Sequence, residues 1–105
     1  MGYQTPSDAA EPVAFRREKD GDITAVFPAT PGTTDPSTMT CFAHVGQHSS
    51  CTMEWYYTTK PAKPEEYTDL KHELESKPYS YRLHVVKRIT QAHHQMRYDE
   101  LKRYK

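Results

Sequence analysis

The chain has 105 residues, of which 27% are charged and 35% hydrophobic, and its formal net charge is zero. That length gives one domain with one modest core, and the charge balance excludes a protein that holds nucleic acid by overall positive charge alone. No apolar run approaches the roughly 20 residues a membrane span needs, and "MGYQTPSDAAEP" lacks the charged-then-apolar order of a signal peptide, so the chain is expected to be cytoplasmic.

Eight tyrosines, three phenylalanines and one tryptophan supply much of the large apolar surface, which predicts a small aromatic core. Charge is uneven along the chain. From Val86 onward six cations stand against two anions, so a basic end follows an acidic body. The two cysteines, in a reducing compartment, are expected as thiols rather than as a structural disulfide.

Residues 1–11 are polar and proline-containing, without periodic apolar positions, and read as a flexible lead-in. Residues 12–90 read as one α+β domain. In "VAFRREKDGDITAVFP" two strand-like runs meet at Asp20-Gly21, a pair that tolerates a type I′ turn. A two-residue loop would place Lys19 opposite Asp22, Glu18 opposite Ile23, Arg17 opposite Thr24 and Phe15 opposite Val26. "PATPGTTDPST", residues 28–38, has three prolines and reads as a surface loop.

"TMTCFAHV" and "TMEWYYTT" are β-branched and aromatic runs of strand length flanking "GQHSSC", which predicts a second hairpin with Met53, Trp55 and Tyr57 on its buried face. "KPAKPEEYTDLKHELES" then changes period. Pro64 suits the first helical position, Glu65 and Glu66 suit the positive end of the helix dipole, and Tyr67, Leu70 and Leu74 form a narrow apolar face. Pro78 bounds that helix.

"YSYRLHVVKRI" alternates Tyr79, Tyr81, Leu83 and Val85 against Ser80, Arg82 and His84, predicting a fifth strand covered on one side. Residues 91–105 read as a basic C-terminal helix with a weak stripe of His94, Tyr98 and Leu101, either docked or frayed. The expected architecture is therefore an antiparallel sheet of about five strands in the order β-β-β-β-α-β, with one packed helix and a C-terminal helix.

Three blocks, "FRREKDGDITAVFP", "HVGQH", and "TKPAKPEEYTDLKHELES" followed by "YRLHVVKR", resemble a family of short proteins of uncharacterised activity encoded by bacteriophages and other bacterial mobile elements. The resemblance covers roughly residues 15–88, with His44, Val45, Gly46, Gln47 and His48 matching the pentad. It implies a compact α+β domain in a bacterial host cell, and carries no catalytic assignment.

Four readings attach to particular residues. Cys41, His44, His48 and Cys51 have the form C-x2-H-x3-H-x2-C, with ligand types that zinc accepts. Only three residues separate the two pairs, against about a dozen in usual structural zinc sites, and Cys41 is expected near Trp55 rather than Cys51. No metal or cofactor is therefore assigned. A cysteine nucleophile with a histidine base lacks an orienting third residue, so no enzyme is expected.

The "HVGQH" loop, through His44, Gly46, Gln47 and His48 and with Arg82 and Arg88 nearby, is read as the binding site of a non-enzymatic accessory protein. Its partner would be a host protein or a small ligand, and inhibition of bacterial defence fits by genomic analogy. The alternative is a nucleic-acid-binding regulator using Arg82, Lys87, Arg88, Arg97, Lys102 and Arg103 with interleaved tyrosines. Local i,i+4 pairs, Glu73 with Lys77 and Asp99 with Arg103, would equally satisfy such charges. An open sheet edge leaves a dimer open as well.

Overall fold

The computed structural model describes residues 10–43 and 47–103. Val13, Phe15, Ala25, Phe27 and Phe42 turn to one face of the sheet, and Ala14, Val26, Met39, Cys41 and Cys51 to the other. Both faces are covered. This alternation is the period-2 consequence of extended backbone, and it makes the sheet the middle layer of the domain.

Strand β1 (Glu11–Arg17) and strand β2 (Ile23–Phe27) form the first hairpin, with Phe15 opposite Ala25 and Arg16 opposite Thr24. The register differs by one from that of a two-residue loop. Glu18 bonds Asp22, Gly21 donates back to the Glu18 carbonyl, and Gly21 has φ +96°, so the loop is Lys19-Asp20-Gly21 with its left-handed residue at the glycine. The corrected register puts Phe15, Ala25 and Phe27 on one face, where the predicted pairing would have split them.

Strand β3 (Thr38–Ala43) pairs with β2, and strand β4 (Gln47–Thr52) pairs with β3 as the outer strand. Here the expectation is overturned. "QHSSCT" is the strand, while Met53–Tyr56 is the short helix α1, started by the Thr52 hydroxyl accepting from the Trp55 amide at 3.1 Å. Tyr56 is buried and Tyr57 is 73% exposed, the reverse of the predicted alternation.

The second edge of β1 is shared. Strand β5 (Lys60–Pro61) pairs antiparallel with Arg16 and Arg17, and strand β6 (Leu83–Val85) pairs parallel with Glu11, Pro12 and Val13. The sheet thus has six strands, antiparallel except for the β1–β6 pair. The fifth predicted strand is shorter than expected, yet Tyr79, Tyr81, Leu83 and Val85 do all pack against the same core face.

Helix α2 (Pro64–Glu75) covers that face with Leu70 and Leu74 fully buried and Tyr67 stacked on Phe15 at 4.3 Å. Its start is the one predicted, with Pro64 in the first turn and the Glu66 carboxylate accepting from the Lys63 amide at 2.8 Å. Helix α3 (Gln91–Lys102) docks, but through His93 and Arg97 rather than through His94, Tyr98 and Leu101. Tyr98 is half-exposed.

Candidate binding surface

The described part of the "HVGQH" block begins at Gln47, which opens β4 opposite Ala43; His44, Val45 and Gly46 lie outside the described residues. His48 is a strand residue, not a loop residue, and pairs with Phe42. Because Phe42 faces the α2 side, so does His48. Its ring lies 4.8 Å from Phe42, 5.5 Å from Tyr79 and 6.4 Å from Phe27, while Nε2 sits 3.0 Å from the Tyr81 hydroxyl.

The residue remains solvent-exposed while its ring is held by this aromatic wall. Such an imidazole is oriented in advance, which removes part of the ordering cost of capturing a planar or polar group. Tyr81 stays a neutral phenol, because burial and then the nearby Glu11 and Tyr79 push its pKa up. The corner therefore offers one hydroxyl, one imidazole and two aromatic edges.

Arg82 follows Tyr81 directly and is exposed at this corner, where its carbonyl accepts from the Glu11 amide at 2.7 Å. Arg88 is exposed in the bend beyond the other end of β6. Arg82 thus adjoins the residue that bonds His48, while Arg88 lies beyond the far end of β6. Arg97, counted among the cations of the basic end, is 1% exposed and donates to the Pro28 carbonyl at 2.6 Å and the Pro36 carbonyl at 2.9 Å, with a further contact to His94. It belongs to the core and not to a phosphate-binding face.

Cys41 and Cys51 occupy the opposite face. Cys41 lies across from Ser49 and Met39 across from Cys51, so the cysteines are diagonal neighbours on β3 and β4 and not separated as the predicted hairpin had them. Both are free and buried. With His48 on the other side of the sheet, this strand pairing does not assemble the C-x2-H-x3-H-x2-C set into one site, and among the described residues no three His, Cys, Asp or Glu are grouped so that they could hold a metal ion.

The thiols instead lie beside each other on the paired strands. The neighbouring Cys51 side chain holds the Cys41 thiol below the ordinary range against the opposing effect of burial, and the Ser49 hydroxyl lies 3.2 Å from the Cys41 sulfur. The neighbouring Cys41 side chain and then burial push the Cys51 thiol up. Both sulfurs open onto a shallow groove of about 370 Å³ bordered by Glu18, Thr24, Ser49 and Trp55.

Sequence reasoning missed Tyr81 as a partner of His48. The signal was present in the alternation that put Tyr79 and Tyr81 on the covered face. What was lacking was the register of β4, which decides that His48 shares that face. Comparison of the chain with family models, curated proteins and solved structures gives no significant match. Among the described residues no helix is long and apolar enough to cross a membrane.

Proposed function

We propose that the protein is a non-enzymatic accessory protein of a bacteriophage or other bacterial mobile element. It binds a host factor or a small ligand at the sheet corner where the "HVGQH" block ends, and inhibition of bacterial defence is the role suited to it. The observation that supports this reading is His48, an exposed imidazole fixed by Phe42, Tyr79 and Tyr81 at the end of a rigid strand pair.

The test is native mass spectrometry of untagged protein purified without chelator, together with capture from a bacterial host extract. The wild type should retain an added mass or a captured partner, and His44→Ala/His48→Ala should lose it while keeping its far-ultraviolet circular dichroism. Equal retention by the double variant, or a bare chain and no capture by either, would overturn the reading.

A further inference from the structure

Cys41 and Cys51 take no part in the His48 corner. They sit on the other face, one on β3 and one on the outer strand β4, as diagonal neighbours that both line one groove. Diagonal positions on paired antiparallel strands lie about 7–8 Å apart, while a disulfide takes Cα separations up to about 6.8 Å. A small inward movement of one strand closes that difference. Among the described residues β4 is hydrogen-bonded to a neighbouring strand on one side only, which lowers the cost of that movement.

We propose that Cys41 and Cys51 are a redox-active dithiol that reacts with low-molecular-weight disulfides of the oxidised-glutathione class, with Cys41 as the attacking thiolate and Cys51 as the resolving thiol. In the first step the Cys41 sulfur attacks one sulfur of the oxidant, its S–S bond breaks, and one thiolate leaves and takes a proton from water. In the second step Cys51 gives up its proton to solvent and its sulfur attacks the Cys41 sulfur. The Cys41–Cys51 bond forms and the second thiol leaves. Two electrons have then passed from the protein to the small disulfide.

The surroundings assign these roles. The Ser49 hydroxyl, 3.2 Å from the Cys41 sulfur, is placed to stabilise a thiolate there, and Glu18 beside the β1–β2 turn is the charge opposing it. At Cys51, the Cys41 side chain and then burial hold the proton on, so this thiol is the slower to ionise; the Arg97 guanidinium is the cation that favours its release in the second step. A reversible bond of this kind belongs to a reducing compartment, where such disulfides are transient.

Reduced protein exposed to oxidised glutathione, quenched in acid and weighed under denaturing conditions, tests the assignment. The wild type should lose two hydrogens and carry no adduct, Cys51→Ser should accumulate one glutathione on Cys41, and Cys41→Ser should form no internal bond. Iodoacetamide should label wild-type Cys41 at lower pH than an ordinary thiol, and that profile should move upward in Cys51→Ala. A stable adduct on the wild type with no internal disulfide, first modification at Cys51, or reaction only after unfolding in urea would each overturn the proposal.

Discussion

Two single residues carry more of the fold than their chemistry announces. Gly32 lies where the proline-rich loop crosses β3 and β4. A Cβ there would run into the Met39 carbonyl oxygen and come within 2.6 Å of the Ser50 Cβ. Gly32→Ala should therefore cost about 1–3 kcal/mol through forced displacement of packed backbone, read as a lower urea midpoint. Arg97 joins the two ends of that loop through the Pro28 and Pro36 carbonyls. Arg97→Met keeps the stem but strands both acceptors, for a loss of about 3 kcal/mol. Arg97→Lys should rescue little of it, since a single ammonium does not present the fork that reaches both oxygens. Urea unfolding of the two variants measures this.

Arg16 shows a second use of a buried guanidinium. It bonds the Thr59 hydroxyl at 2.7 Å and the Thr59 carbonyl at 2.8 Å, and lies 4.1 Å from the centroid of the Tyr56 ring. These contacts tie α1 and the chain leading to β5 back to β1. They explain how two very short elements hold their places.

At the scale of elements, α3 is the part that should respond to acid. His93 Nδ1 accepts from the Thr90 amide at 3.0 Å and His94 Nδ1 faces the Arg97 guanidinium, so both contacts require neutral rings. Burial lowers both pKa values from 6.5; the neighbouring His94, Arg97 and His84 add to this at His93, and Arg97 adds to it at His94. The unfolded chain then binds more protons than the folded one below pH 6.5. Stability is full above that value and falls as pH drops through the interval down to the folded pKa values. Urea midpoints should decrease from neutral pH to about pH 5, and less so in His94→Gln.

Glu11 works in the opposite sense. Burial raises its carboxyl pKa against the Thr30 hydroxyl that lowers it, with Glu100 raising it further. Its contribution is present below the unfolded value and is lost as pH rises through the folded one, so at neutral pH the charge is a cost. Glu11→Gln should raise the thermal midpoint at neutral pH, measured by calorimetry.

How far these elements were legible depended on which signal each one carries. The Asp20-Gly21 hairpin and the Pro64 helix announce themselves through residues with special backbone geometry, and both are found where expected. The hairpin register did not follow, because a glycine with positive φ serves a two-residue or a three-residue loop equally well. β4 was hidden because an outer strand with one wet face can be polar, as "QHSSCT" is. α1 was misread because aromatic residues favour strands, although Thr52 three residues before Trp55 was a helix-start signal. The docking face of α3 escaped an apolar-stripe search, since the side chains it buries are a histidine and an arginine. For the candidate surface, the pentad drew the eye to His48, while Tyr81 needed the tertiary register.

For the molecule as a whole, burial of Arg97 and the pairing of Arg103 with Glu100 reduce the cationic surface that remains at the basic end. With zero formal net charge, the protein should show no retention on DNA or RNA even at low salt, checked by column binding across a salt series. Binding that weakens steeply with salt would instead favour the nucleic-acid reading.

The two neighbours on the second edge of β1 also set the order in which a growing chain can finish. As synthesis proceeds, β2, β3 and β4 add to one side of the first strand in turn, each beside the one before it. The other side waits for Lys60–Pro61 and then for Leu83–Val85. Until those segments leave the ribosome, an interior strand has the unpaired amides and carbonyls of an edge. A chain released before Leu83 keeps that edge open, so a late-made segment protects the earliest strand from pairing with other nascent chains.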